Sequence, residues 1–194
     1  YINMTDTIFT KTDSTTLSST DTVITTSSYA SLTTDPSEIK SVQIGTLVTS
    51  ISNNAFNGGY NLDSLTFDSV SQLTSIGNGA FQTNSTNPGK LESIDFPASL
   101  QNIGDTAFTY QKLQGTVIFP VNLEKIGQSA FGNNKLSSVT IPSLVNTIGD
   151  YAFSGISNLE TVTIYTYAAP AEGSRMFFSS NNIKTATLDF SGPI

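Results

Sequence analysis

The stretch Leu136-Ser137-Ser138-Val139-Thr140-Ile141-Pro142, continuing through Val145 to Ile148-Gly149-Asp150-Tyr151-Ala152-Phe153, decides the fold because it recurs. Within it Leu136, Val139 and Ile141 are apolar, while Ser138 and Thr140 alternate to the other side. Such alternation is the mark of a half-buried strand. Pro142 ends the strand, since proline cannot donate to a ladder. An apolar residue then precedes an Ile-Gly pair by three positions, and a small Ala and a large Phe close the unit.

Working outward, Ala-Phe recurs at Ala55-Phe56, Ala80-Phe81, Ala107-Phe108, Ala130-Phe131 and Ala152-Phe153, with a degenerate copy at Met176-Phe177. An Ile stands five residues before each full copy's Phe (Ile51, Ile76, Ile103, Ile126, Ile148), and Gly follows four of the five. A Leu or Ile opens each unit at Ile39, Leu62, Leu91, Leu113, Leu136, Leu159 and Ile183. The opener-to-opener period is 22 to 24 residues apart from one of 29, whose insertions fall near Ser69–Ser71 and within Gln82–Lys90. A unit this short cannot bury its own apolar face, so neighbours must stack and share one core. The expectation is a mainly β, curved solenoid of six to seven turns spanning residues 38–194. A parallel sheet of about seven strands forms one side, with short helical turns or loops on the other. Asn53, Asn78, Asp105 and Asp150, with Gln128 less suited, stand where such helical turns would begin and are expected to act as N-caps. Gly115 adds a residue to one strand and predicts a bulge.

Residues 1–37 have no such repeat. Eighteen of the first 35 residues are Ser or Thr. Two β-prone stretches echo each other, Asp6-Thr7-Ile8-Phe9-Thr10 and Asp21-Thr22-Val23-Ile24-Thr25, so this arm is expected as a stalk, a cap or strands for a neighbouring molecule. The chain starts at Tyr1, which predicts a processed product or a fragment.

The repeat pattern resembles the BspA-like leucine-rich repeats of bacterial and some protist surface proteins. The resemblance rests on Leu136, Val139, Ile141, Pro142, Val145, Ile148, Gly149, Ala152 and Phe153, and it covers about residues 39–190. It implies a secreted or surface-exposed solenoid used in adhesion or host and matrix contact, without enzymatic activity. The family often carries Cys shortly after Ala-Phe; here the matching positions hold residues such as Gly59 and Ile156.

Composition narrows the chemistry. The 194 residues include 28 Thr, 27 Ser and 16 Asn, only 8 Lys plus Arg, no His and no Cys, and the net charge is −7. So few cations argue against a nucleic-acid partner, because phosphate neutralisation needs Lys and Arg. Absent His and Cys remove the usual general base, thiol catalysis and zinc–thiolate sites. No apolar run approaches the ~20 residues that span a bilayer, so no membrane insertion is expected. No catalytic constellation, metal set or cofactor motif appears, so no catalytic residue, metal site or cofactor is expected. Two Asn-x-Ser/Thr sequons, Asn3-Met4-Thr5 and Asn84-Ser85-Thr86, are common by chance in so hydroxylated a chain.

The outward strand positions form the candidate surface. They read Ser41/Gln43, Ser64/Thr66, Ser93/Asp95, Thr116/Ile118, Ser138/Thr140, Thr161/Thr163 and Thr185/Thr187. Of these, Ser64, Thr66, Ser93, Asp95, Thr116, Ser138, Thr140, Thr161 and Thr163 are the expected partner-binding residues of an extracellular or cell-surface module for a protein or glycan. A second reading is head-to-tail assembly of copies into a filament. There Ile8, Phe9, Val23 and Ile24 of the arm would meet Leu188 and Phe190 at an open solenoid end. A remote third is ice binding by the Thr/Ser ladder.

Overall fold

The computed structural model describes residues 6–29, 33–165 and 175–189, and all that follows concerns these. The arm supplies three strands, β1 (Thr7–Lys11), β2 (Thr16–Ser19) and β3 (Val23–Ile24). The coils then alternate a long and a short strand. The first three carry β4 (Ile39–Ile44), β5 (Ser50–Ile51), β6 (Ser64–Phe67), β7 (Ser75–Ile76) and β8 (Asn102–Ile103). The rest carry β9 (Gln114–Ile118), β10 (Lys125–Ile126), β11 (Lys135–Ile141), β12 (Thr147–Ile148), β13 (Thr161–Tyr165) and β14 (Thr185–Asp189). The chain is mainly β, and among the described residues its only helices are two 3-10 turns, Thr26–Tyr29 and Pro36–Glu38.

Each coil has three sides. The long strands form the first, in parallel register with like repeat positions opposed: Val42 faces Leu65, Val139 faces Val162, and Val162 faces Ala186. This side is not the single sheet of seven strands expected. It divides into β2-β1-β4-β6 and β9-β11-β13-β14, and the third coil between them contributes only the bridge Asp95–Ile118. The division falls directly after the coil that carries both insertions. The irregularity expected at Gly115 falls on the opposite strand: Gly115 pairs with Leu136 and Thr116 with Ser138, so the unpaired residue is Ser137 of β11.

The second side was not foreseen. The Ile-Gly motif is itself a strand, and β3, β5, β7, β8, β10 and β12 pair in parallel, two residues each. A β-turn joins the two sides, its Pro carbonyl accepting from the residue three on: Leu100 N to Pro97 O at 3.1 Å, Leu123 N to Pro120 O at 3.0 Å and Val145 N to Pro142 O at 3.2 Å.

The third side, around Ala-Phe, is a stack of turns and not of helical turns. Asn54, Thr106, Ser129 and Tyr151, two residues before the Phe, all have φ between 52° and 61°, and Gly79 has 61°. A left-handed residue at that place stops a right-handed helix from starting. The backbone groups therefore bond between coils. The N–H of Phe56, Phe81, Phe108 and Phe131 donates to the carbonyl of Ala80, Ala107, Ala130 and Ala152, at 2.7 to 2.8 Å. Asn53, Asn78 and Asp105, expected as N-caps, do the same with their side chains. Asn53 Oδ1 accepts from Asn78 N at 2.8 Å, Asn78 Oδ1 from Asp105 N at 2.9 Å, and Asp105 Oδ1 from Gln128 N at 2.8 Å.

Inside the three sides runs a file of rings. Phe56, Phe81, Phe108, Phe131, Phe153 and Phe177 stack at centroid spacings of 5.1 to 5.5 Å with planes within 16°. Phe9 of β1 continues the file at 6.1 Å from Phe56. The arm thus closes this chain's own first coil. β1 lies antiparallel on β4 with Phe9 opposite Val42, and β3 starts the short-strand sheet with Ile24 opposite Ile51.

Candidate functional site

The parallel register turns the outward strand positions into two columns. One runs Thr116, Ser138, Thr161, Thr185 and the other Ile118, Thr140, Thr163, Thr187, one rung per coil. Ser64 and Thr66 pair with Ser41 and Gln43 in the first block. Asp95 stands beside Ile118 through the lone bridge of the third coil, and Ser93 is exposed on that same irregular coil. The predicted residues are thus exposed or half-buried on one side of the molecule but interrupted once. At the interruption lies a groove of about 250 Å³ lined by Asp63, Ser64, Thr66, Phe67, Ser93 and Asp95.

The same face carries an apolar patch among its hydroxyls. Ile118 is 71% exposed in the middle of its hydroxyl column, and Val121, just past the strand, is 61% exposed. Together with Phe119, Thr140, Pro142 and Tyr165 they line a groove of about 330 Å³. None of its lining residues carries a charge. A signal was available: every other coil places a polar residue at the position of Ile118.

The expected assembly residues are placed as follows. Phe9 and Ile24 are fully buried inside this chain's own core, and Ile8 is half-buried beside Gln43. A reach of Phe9 and Ile24 into a neighbouring molecule therefore gives way to a role in closing the first coil, because their side chains are already packed. Val23 and Leu188 are exposed at 41% and 62%, and Phe190 lies outside the described residues.

A second departure from the repeat sits on the turn side. Where other coils carry Asn, Gly, Thr or Ser, the last two place Tyr151 and Arg175, the only arginine of the chain. Arg175 Nη1 donates to the Tyr151 hydroxyl at 2.7 Å, and the exposed Phe178 meets the Tyr151 ring edge-on at 5.7 Å. That hydroxyl holds the guanidinium above its ordinary pKa.

At the family's Cys position, three residues after Phe, the chain uses buried polar staples. Asn134 Nδ2 donates to Phe108 O at 2.9 Å, Gln111 Nε2 to Phe81 O at 2.6 Å, and Ser180 Oγ to Phe153 O at 2.8 Å. Each ties its coil to the preceding Phe carbonyl.

The family model for the BspA type leucine rich repeat region matches in six copies, over residues 2–88 and 86–191. The chain belongs to the BspA-type leucine-rich repeat family. Among solved structures, this BspA-type chain is similar to a leucine-rich repeat protein of Bacteroides ovatus, at 22% identity and a TM-score of 0.60 over 79% of this chain and 51% of that one. The T. pallidum leucine-rich repeat protein aligns at 20% identity and 0.62, over 97% and 85%. A leucine-rich cell surface protein of Faecalibacterium prausnitzii aligns at 21% identity and 0.50, over 84% and 54%. The chain thus spans about half the length of the Bacteroides and Faecalibacterium proteins. No match was found among curated protein sequences. Among the described residues no group of three or more Asp and Glu could hold a metal ion, and no helix is long and apolar enough to cross a membrane.

Proposed function

We propose that this BspA-type solenoid is a non-enzymatic interaction module of an extracellular or cell surface, and that it grips a protein or glycan partner with its long-strand side. The observation that carries the reading is the groove around Ile118. A hydroxyl-rich ladder with one carboxylate, Asp95, supplies many weak hydrogen bonds, and one apolar cleft within it supplies an anchor that excludes water. Interfaces draw most of their affinity from such a desolvated centre, with a polar rim around it. Rigid backing favours this use, because Thr140 and Thr163 sit on strands paired on both sides and need little ordering on binding. Family membership and a cell-surface relative support the location.

The test is a binding screen against immobilised glycans, matrix proteins and whole cells, with Ile118→Asp and the double variant Thr140→Lys/Thr163→Lys beside the parent chain. Loss of a central anchor is expected to weaken a binding partner by about tenfold or more. Equal binding by all three proteins would sink the proposed face. Since Ile118 is mostly exposed, Ile118→Asp leaves the melting transition in place, which separates lost binding from lost folding.

A further inference from the structure

We propose that Asn84 is an N-glycosylation site, filled while the chain passes through a secretory compartment. The sequon Asn84-Ser85-Thr86 has no proline at its middle position and falls inside the insertion that lengthens the second coil. The repeat supplies an internal control for what that insertion does. Asn84 and Asn134 both stand three residues after a stacked Phe, at Phe81 and Phe131. Asn134 is buried and spends its amide on the carbonyls of Phe108 and Phe131. Asn84 is lifted clear, and residues 84–88 are exposed without a break.

The base of the loop is fastened while its tip is free. Thr83 is buried, and its Oγ1 donates to Tyr110 O at 2.7 Å and accepts from Gly89 N at 3.1 Å. Gly89 N also donates to Tyr110 O at 2.9 Å, and Gln111 spans under the loop to Phe81 O. These bonds fix both ends of the loop against the coil, with Gly89 packed on the Gln111 amide. At the tip, Asn84 Oδ1 accepts from Thr86 N at 3.0 Å and from Asn87 N at 2.9 Å, and its Nδ2 has no partner among the described residues. Two donors on the oxygen draw charge onto it and make the Nδ2 protons easier to remove.

The reaction fits this presentation. Nδ2 forms a bond to the anomeric carbon of a lipid-pyrophosphate-linked oligosaccharide as the bond from that carbon to the pyrophosphate oxygen breaks. The lipid pyrophosphate departs with the bonding electrons, and Nδ2 loses one proton. The loop leads into Leu91 at the start of the third coil, whereas the groove around Ile118 is lined by residues of β9, β11 and β13.

The full chain is secreted from an N-glycosylating eukaryotic host behind that host's leader. Its intact mass is read before and after peptide-N-glycosidase in heavy-oxygen water. The expected result is one glycan whose removal leaves heavy-oxygen Asp at position 84. Glycan at this position is lost in Asn84→Gln and Thr86→Ala, kept in Thr86→Ser, and the melting transition of Asn84→Gln matches the parent. An unmodified peptide 82–90, in a preparation where a co-secreted control glycoprotein is filled, would overturn the proposal. So would a glycan found only at Asn3.

Discussion

At the scale of single residues, the glycine that follows four of the five motif Ile residues shows how one missing atom permits the stack. A Cβ built at Gly149 would lie 2.3 Å from Gln128 N, and one at Gly127 would lie 2.5 Å from Asp105 N. Those are backbone atoms of the preceding coil and have nowhere to move. Gly115 is the contrast: its φ is +66°, yet nothing lies within 4 Å of a Cβ there. Gly149→Ala should cost about 3 kcal/mol by overpacking, and Gly115→Ala about 1 kcal/mol from the left-handed backbone alone. Urea melts of the two variants measure the difference, and equal costs would mean that coil spacing is not set by these glycines. The recurrence of Gly was plain in the sequence, but its reason was not, because each clash is with a residue more than twenty positions away. The Asn and Asp acceptors bond between coils and not as N-caps for a related reason. An oxygen beside a chain reversal can serve an N-cap or a neighbouring coil equally well. What decides is the left-handed residue that follows, and Thr106 or Tyr151 gives no warning of that conformation. A β-branched residue in that region is strained, so Thr106→Asn should raise stability by about 1 kcal/mol, seen as a higher urea midpoint.

At the scale of elements, the two Thr-flanked stretches of the arm were legible as strands but not as members of different sheets. Their own pattern, one or two buried residues among hydroxyls, suits any open edge. Only the assembled first coil shows that one long and one short edge need covering. The hairpin β1–β2 meets the first of these needs, and an ion pair fastens it. Lys11 Nζ lies 2.9 Å from Glu38 Oε2. The bond from Lys11, and then one from Thr33, holds the Glu38 carboxyl below its ordinary value, while Glu38 holds the Lys11 ammonium above its own. Glu38 therefore contributes fully above pH 4.5, its unperturbed value, and the contribution fades as pH falls through the lower folded value. For Lys11 the contribution is complete below 10.5 and fades as pH rises through the higher folded value. Both groups lie half-buried at the surface and keep contact with solvent, so the effect is local and modest. Hydrogen exchange of the β1 amides, corrected for intrinsic rate, should show protection that drops on the acid side of 4.5 and holds across neutral pH. Glu38→Gln should flatten that acid step; a step of undiminished size in this variant would assign it to another carboxylate.

At the scale of the whole molecule, the file of rings makes the solenoid a one-dimensional object whose strength is the sum of neighbour contacts. Phe131 lies in its interior, the fifth of seven rings. It stacks at 5.5 Å on Phe108 and on Phe153, and the edges of Phe96 and Phe119 meet it at 6.3 and 5.2 Å. Phe177 lies near the far end, half-buried, and stacks on Phe153 alone among the described rings. Phe131→Ala should cost about 4 kcal/mol and Phe177→Ala about 2 kcal/mol, scaled to the burial each loses. The patterns should differ more than the sizes. Cutting the file at Phe131 weakens the coupling between the coils on either side. The block closed by Phe9 and the β1–β2 hairpin should then outlast the block that ends at β14, whose strand is largely exposed. Hydrogen exchange followed by mass spectrometry through a urea series would show peptides after 136 losing protection before those of 39–81. In Phe177→Ala only the last coil should loosen, with the rest melting as in the parent. A single transition in Phe131→Ala, with both halves losing protection together, would mean that coupling runs past nearest neighbours. The three hydrogen-bonded sides, and not the ring file, would then be what makes the stack cooperative.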